Sequence, residues 1–503
     1  MTFILAAVLV LTASLLTQGS GPVPAGTWAT TGSMGAVRTG AAAVLLPDGR
    51  VLVTGGDGGS GPLASAEVYS GGAFSAVASM NYARSRHSAA VLADGRVLVA
   101  GGVTVGEGAT NSAEIYDPVS NSWALANSMS QARAGHTATM AGDGSIVVAG
   151  GEGAGGAISS VEFFDSSSGS FSYAGNLSSA RKDHAAAALA NGTILIVGGS
   201  NGSSALATSD IYDHQDADVE PGPSMALPRQ GLSATSLLNG DVVVIGGRNA
   251  GGDMSSAEVL PANGSSFQPA ASALAAPRSG HFAARLRNNN AVLIAGGSSG
   301  GSAVSSAALY LPWSGQFVGT GAMSAAHAGG ASSGTSMAGA HLVAGGSAGA
   351  ELYGFVTVMS DKADYLPGES ALITGTGWTP GESVSLVYHE DANPPLHPDQ
   401  VHIVLADAGG NILDSYLLEQ HDRGVTFYLL ATGAASGFQA QTSFTDAPSA
   451  DLDQCRNGSA GAPQDCVGSR WVNGNAGSSN SHYIEGHSIP YRLRMEQVPL
   501  GNA

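Results

Sequence analysis

The sequence predicts an all-β fold built from repeated sheets. Of its 503 residues, 73 are glycine and only 11% are charged, a composition typical of short strands joined by tight turns. A Gly-Gly doublet recurs at intervals of 46 to 50 residues, and a repeat of that length indicates a unit that buries its faces against its neighbours. The doublets begin at Gly55, Gly101, Gly150, Gly198, Gly246, Gly296 and Gly345.

Each repeat predicts four antiparallel strands. An Asp-Gly or Asn-Gly dipeptide separates two apolar runs, as in VLADGRVLV, and such dipeptides favour a two-residue hairpin turn. The doublet ends the second strand, where residues without a side chain allow a sharp bend between crowded sheets. A third strand follows as AEVY, AEIYD or a variant, and the fourth strand is clearest in NSWALANSM.

The apolar runs also predict how the sheets are arranged. Runs such as VLVA and IVVA do not alternate with polar residues, so these strands need cover on both faces. Radial stacking gives that cover and predicts a β-propeller of seven blades. The segment GTWATTGSM matches a fourth strand, while the last repeat stops after its third. We therefore expect residues 27–34 to complete the seventh blade and close the ring.

The repeat resembles a known family. The doublets, the Trp28 and Trp123 positions and the aromatic residue of the third strand resemble the kelch repeat over about residues 26–355. The resemblance implies a kelch β-propeller; in the later blades the tryptophan is lost and Leu260 replaces the tyrosine. The third-strand aromatic residues are Tyr69, Tyr116, Phe164, Tyr212, Tyr310 and Tyr353.

The chain divides into four predicted parts. Residues 1–25 carry an apolar core suited to a signal peptide and too short to span a membrane, although no basic residue precedes that core. The propeller occupies residues 26–355. Residues 356–447 resemble a bacterial immunoglobulin-like β-sandwich, with alternating apolar residues and Trp378. Residues 448–503 are interpreted as a linker and an incomplete further β module.

One charged position recurs at the start of each blade. In the first interpretation, each of these residues helps to fasten the blades together by pairing with a third-strand carboxylate such as Glu67, Glu114 or Glu162. The second is a ligand-binding rim for carboxylates, because matching arginines of animal kelch proteins line the mouth that captures acidic peptides. The residues predicted to bind ligand are Arg38, Arg84, Arg133, Arg181, Arg229, Arg278 and His327.

Metal and redox chemistry have little support in the sequence. Four histidines follow the arginines by three residues. We expect them to form hydrogen bonds rather than a metal site, because side chains spread around a channel do not converge on one metal ion. Cys455 and Cys466 are expected to form a disulfide in an exported chain, with two free thiols as the alternative. The histidines are His87, His136, His184 and His281.

The predicted function is a secreted or surface-associated binding or adhesion scaffold, whose ligand is an acidic peptide or a carboxylated glycan. The net charge of −19 disfavours nucleic acid, and neither a cofactor nor a membrane span in the mature chain is expected. A carbohydrate-active enzyme, epimerase or lyase, that uses the propeller mouth is the alternative. Copper radical oxidases of this fold need a cysteine within the propeller, and no cysteine precedes Cys455.

Overall fold

The structure is a computed structural model that describes residues 23–446, except 107, 263, 335–338, 367, 392–396 and 420–424, together with short strands between 450 and 495. Every regular element in this part of the chain is a β-strand, and it contains no helix long and apolar enough to cross a membrane. The chain divides into two compact units, Met1–Phe355 and Val356–Ala503. The predicted signal peptide lies almost entirely outside the described residues.

In the described residues, the first unit contains seven four-stranded antiparallel sheets, numbered here one to seven in chain order. The innermost strands are Ala42–Leu45, Ser88–Val91, Thr137–Met140, Ala185–Ala188, Ser233–Ser236, Phe282–Arg285 and Ala331–Gly334. The second strands are Val51–Thr54, Val97–Ala100, Ile146–Ala149, Ile194–Val197, Val242–Ile245, Val292–Ala295 and Ala340–Ala344. The third strands are Ala66–Ser70, Ala113–Asp117, Ser160–Asp165, Ser209–Asp213, Ala257–Leu260, Ala307–Leu311 and Ala350–Gly354. The outermost strands are Ala73–Val77, Ser122–Ala126, Ser170–Asn176, Asp218–Gly222, Gln268–Pro269, Gln316–Gly319 and, for sheet seven, Trp28–Thr30.

The sheets form a closed ring. The innermost strand of each sheet lies beside that of the next sheet, and the innermost strand of sheet seven lies beside that of sheet one. Sheet seven takes its outermost strand from the other end of the unit, because Trp28 pairs with Tyr353 and Thr30 with Glu351. The Trp28 indole also packs on the Tyr353 ring at 5.1 Å and donates to Gly321 O at 2.7 Å. The two ends of the first unit are therefore held in one sheet.

The second strands explain the uninterrupted apolar runs. Val97–Ala100 is buried at all four residues, and the other second strands share this pattern. Between sheets two and three, Leu98 packs with Ile146 and Val148 in one apolar cluster. Each sheet thus supplies cover for the next, as the lack of alternation predicts.

The doublets lie where neighbouring sheets approach most closely. Gly101 and Gly102 have φ of 63° and 100°, in the left-handed region that glycine adopts without strain. A Cβ on Gly101 would lie 2.5 Å from Arg133 O and 2.6 Å from His136 Cε1, both of the next sheet. Glycine is required here by backbone conformation and by space.

Hairpins extend from four of these bends. Each is a two-stranded ladder inserted between the second and third strands of sheets two, three, five and six. The strand pairs are Val103–Thr104 with Gly108–Ala109, Glu152–Gly153 with Gly156–Ala157, Arg248–Asn249 with Gly252–Asp253, and Ser298–Ser299 with Ser302–Ala303.

The second unit has two sheets whose aromatic side chains meet. Tyr416 of the three-stranded sheet stacks on Tyr388 of the five-stranded sheet at 4.2 Å, beside Phe427 and Phe444. Trp378 is buried and donates its indole N–H to Thr357 O at 3.2 Å. The three-stranded sheet contains Met359–Ser360, Ser370–Gly375 and Ile412–Leu417. The five-stranded sheet contains Asp364–Tyr365, Gln439–Asp446, Thr426–Gly433, Ser383–Glu390 and Gln400–Leu405.

Short strands follow residue 446. Ala450–Cys455 pairs with both Trp471–Asn473 and Tyr491–Met495, and Gly458–Ser459 pairs with Ala462–Pro463. Cys466 lies outside the described residues, and only the backbone of Cys455 is described, so the expected disulfide falls outside them as well.

Candidate functional site

The recurring cations are the natural starting point for the site, and the structure buries all of them. Each lies in the loop that leads into an innermost strand, and none is more than 3% exposed. In six of the seven sheets this arginine, or His327 in sheet seven, contacts a carboxylate on the third strand of its own sheet. The pairs are Arg38–Glu67, Arg84–Glu114, Arg133–Glu162, Arg181–Asp210, Arg229–Glu258 and His327–Glu351, at 2.5–3.3 Å.

Sheet two shows how one such pair works. Arg84 Nη1 donates to Gly101 O at 2.8 Å and to Ser112 O at 3.0 Å, while Nη2 donates to Glu114 Oε1 at 2.8 Å. The same carboxylate accepts the backbone N–H groups of Asn81 at 2.6 Å and Tyr82 at 3.1 Å. Burial lowers the pKa of Arg84 from its ordinary value, and the charge of Glu114 opposes that shift. The pair therefore binds the incoming loop to the doublet and to the third strand.

The same loops also join one sheet to the next. The carbonyl oxygen of Arg84 accepts a hydrogen bond from Gly56 N of the preceding sheet at 2.9 Å, and the equivalent bond recurs around the ring. The last member of the series, Gly346 N to Arg38 O at 2.9 Å, joins sheet seven to sheet one. The arginine loops thus fasten neighbouring sheets as well as their own.

These contacts correct the expected ligand-binding rim. In the six sheets with such a pair, the side chain is at most 1% exposed and already contacts carbonyl and carboxylate oxygens, so it does not face a ligand. The structure therefore favours fastening, the first of the two interpretations. The residues to which this correction applies are Arg38, Arg84, Arg133, Arg181, Arg229 and His327; Arg278 is also buried but has no carboxylate partner among the described residues.

The four histidines hydrogen-bond across sheet boundaries. Nε2 of each lies 2.8–3.1 Å from a hydroxyl of the preceding sheet, and burial together with a neighbouring arginine lowers the pKa of His87, His184 and His281 to about 3. Neutral rings in this position act as spacers between sheets. Among the described residues, no group of three or more His, Cys, Asp or Glu is placed to hold a metal ion. The contacts are His87 to Thr54, His136 to Ser88, His184 to Thr137 and His281 to Ser233.

Two residues beyond each fastening cation, the chain forms what we call the inner rim. All seven rim residues have positive φ, between 53° and 67°. Backbone hydrogen bonds link them around the ring, for example Gly135 N to Arg86 O and Gly231 N to Asp183 O, both at 2.8 Å. The inner rim comprises Gly40, Arg86, Gly135, Asp183, Gly231, Gly280 and Gly329.

Two members of the inner rim are not glycine. Arg86 and Asp183 keep φ of 55° and 53°, a conformation that costs a side-chain-bearing residue of order 1 kcal/mol. Their side chains are 42% and 47% exposed and approach to 3.9 Å. Strained, exposed residues are characteristic of binding and catalytic sites, so this part of the rim is the candidate site.

A charged cluster surrounds these two residues. Arg86 lies 3.5 Å from Glu152 Oε2, and Glu152 Oε1 accepts a hydrogen bond from Lys182. That hydrogen bond is the main reason that the pKa of Glu152 is lowered, so its carboxylate is ionised at neutral pH. Arg248, exposed on the hairpin of sheet five, has no carboxylate partner among the described residues. The inner rim and the hairpins at the same end therefore present both signs of charge, and Arg248 is exposed to a ligand.

A cleft lies at the same end of sheet two. It encloses about 400 Å³ and lies between the loop before the innermost strand and the hairpin after the second strand. Tyr82 and Val105 line it and are 47% and 68% exposed. Aromatic and apolar groups beside charges are the usual composition of a recognition surface.

Sequence reasoning missed the inner rim, although the signal was present. The loops read ARSRH, ARAGH, ARKDH, PRQGL and PRSGH, and the fourth letter is glycine except at Arg86 and Asp183. Alignment of the repeats would have shown that these two residues depart from a position that glycine otherwise fills.

One comparison with known proteins, with a family of kelch repeats, agrees with the repeated architecture. Residues 73–247, about a third of the chain, match the KLHDC2/KLHL20/DRC7 Kelch-repeats domain. This match supports a kelch-repeat propeller. A solved structure titled "Structure of YjhT" is 16% identical, covers 57% of this chain and 98% of its own, and superposes with a TM-score of 0.46. The comparison with curated proteins finds no match.

Proposed function

We propose that this chain is an exported binding scaffold, in which a seven-bladed kelch propeller followed by an immunoglobulin-like module binds a protein partner at the inner rim. The kelch match supports the propeller, since kelch propellers in general mediate protein binding. Seven four-stranded sheets in the described residues and the paired sheets of the second unit support the finer architecture. The apolar leader at residues 3–16 supports export.

The observation that carries the proposal is the retained strain at Arg86 and Asp183. Glycine would satisfy the backbone at both positions, as it does in the other five sheets, so the side chains are kept at a cost in stability. Their charges lie on the same end of the ring as the exposed Tyr82, Val105 and Arg248. Tyrosine and arginine contribute most often to binding hot spots. In the proposed complex, Arg248 receives a carboxylate of the partner and Tyr82 packs on an apolar group.

The proposal is tested by selecting peptides from a display library against the full chain and measuring their affinities by fluorescence polarisation. Tyr82→Ala and Arg248→Ala should each weaken binding at least tenfold, the effect of losing about 1.4 kcal/mol of interaction. Val119→Ala is the matched control, because Val119 is 95% exposed in a turn at the opposite end of the sheets and should leave affinity unchanged.

Two results would contradict the proposal. Equal affinities in the wild type and in both variants would move binding away from the surface that contains Tyr82 and Arg248. Conversion of a carboxylated sugar by the full chain, followed by NMR, would favour the alternative of a carbohydrate-active enzyme.

A further inference from the structure

Sheet six departs from the fastening pattern at one residue. The third strand reads AALY in place of AEVY, so Ala308 stands where the other sheets carry Glu or Asp. Its strand register is unchanged: Ala308 faces Ile294, as Glu258 faces Val244 in sheet five. The cation of this sheet, Arg278, therefore has no carboxylate partner within the described residues.

The guanidinium nevertheless keeps its place. Arg278 Nη1 donates to Gly296 O at 3.2 Å and to Ser306 O at 2.9 Å, and Nη2 donates to Ser306 Oγ at 2.8 Å. Arg229 of sheet five makes the same three contacts with Gly246 and Ser256, at 2.8–3.1 Å. Arg278 is only 3% exposed. The guanidinium of Arg278 is thus buried in the position that faces a carboxylate in the other sheets, and the described residues supply no carboxylate here.

Sheet six keeps the backbone N–H groups that bind the carboxylate in the other sheets. In sheet five, Glu258 accepts the backbone N–H groups of Ala226 at 2.7 Å and Leu227 at 3.3 Å, besides Arg229. The corresponding loop of sheet six has the same length and the same Pro-Arg ending, ALPR becoming AAPR. Its N–H groups at residues 275 and 276 make no hydrogen bond to another described residue. Three donors therefore surround the space that a glutamate side chain would fill.

The third strand of sheet six is more open to solvent than that of sheet five. Glu258 is 4% exposed, whereas Ala308 is half-buried and Ser306 is exposed. An uncompensated buried cation is strongly destabilising, and a guanidinium with converging N–H donors matches the two oxygens of a carboxylate. We propose that sheet six binds an external carboxylate between Arg278 and the backbone of residues 275–276, where the other sheets hold a carboxylate of their own.

The test uses acetate as the probe and thermal unfolding of the full chain as the readout. At pH 7 and constant ionic strength, sodium acetate should raise the melting temperature of the wild type by about 1–3 °C relative to sodium chloride. Ala308→Glu supplies the carboxylate internally, so it should raise the melting temperature without acetate and abolish the acetate response. Ala308→Gln, which supplies volume without charge, should stabilise less.

Sheet five provides the reverse variant. Glu258→Ala creates a second empty position beside Arg229 and should enlarge the acetate response. Saturation-transfer NMR of the acetate methyl group gives a readout that does not depend on unfolding, and its signal should be lost in Ala308→Glu. An equal acetate response in the wild type and Ala308→Glu would overturn the proposal. Equal stabilisation by chloride and acetate would overturn the assignment of a carboxylate.

Discussion

Removal of one buried carboxylate tests the fastening role most directly. Glu114→Ala leaves Arg84 with carbonyl and hydroxyl partners only, and both side chains of this pair are fully buried. The variant also removes the acceptor for the N–H groups of Asn81 and Tyr82. Breaking a buried ion pair at one partner costs about 3–5 kcal/mol, chiefly because the remaining charge is uncompensated.

This cost is measurable in the melting temperature. A free-energy loss of 1 kcal/mol lowers the melting temperature of a large domain by about 2 °C, so Glu114→Ala should lower it by about 6–10 °C in differential scanning calorimetry. The exposed pair Arg50–Asp48, with side chains 31% and 46% exposed, is the control. Asp48→Ala should cost less than about 1 kcal/mol.

A double variant separates loss of the pair from loss of packing. Arg84→Met with Glu114→Leu removes both charges and retains apolar volume, and it should recover much of the stability that Glu114→Ala loses. A melting temperature for Glu114→Ala within about 1 °C of the wild type would refute the fastening argument, because the carboxylate would then be dispensable.

Two further predictions concern the sheet boundaries. Gly101→Ala should destabilise the chain by more than about 2 kcal/mol in urea unfolding, since its Cβ would clash with Arg133 O, whereas Gly155→Ala, with nothing within 4 Å, should be neutral. The folded pKa of His281, about 3, is depressed below its ordinary value of 6.5, so the unfolded chain binds the proton first and stability falls as the pH drops from about 6.5 towards 3. His281→Leu, which copies Leu232 of sheet five, should reduce that fall by up to about 1.4 kcal/mol per pH unit; an unchanged pH profile would show that folding does not lower the pKa of His281.

Much of the first unit could be predicted from the repeat alone. The strands, the hairpin turns and the doublet bends depend on short-range patterns, such as the buried run at residues 97–100 and the positive φ of Gly101. The direction of the arginine side chains could not be predicted in this way. A cation at a loop position fits an exposed rim and a buried fastener equally well, until the distance to Glu114 is known.

The candidate site was missed for a related reason. The doublets dominate the glycine pattern of the repeat. The inner-rim position, two residues after each fastening residue, is a second glycine position that is less conspicuous in the sequence. At that position the exceptions are informative, because Arg86 and Asp183 accept a backbone that glycine adopts freely. The sequence AALY likewise shows that Ala308 replaces the acidic residue of the third strand. The consequence for binding, however, depends on the position of the Arg278 guanidinium, which only the structure gives.

The buried fastening residues and the inner rim above them differ in what they require of the sequence. This difference explains how one repeat can combine a uniform fold with a local site. Beneath the surface, the buried cations and the doublets make the same contacts in nearly every sheet, so they fix the ring and leave little freedom for substitution. Two residues further along, only the backbone conformation is required, so a side chain can be added at moderate cost, as at Arg86 and Asp183. Glycine at these two positions should therefore stabilise the ring while it weakens binding at the rim. A fastening residue cannot separate the two properties in this way, because its removal disturbs the loop on which the rim is built.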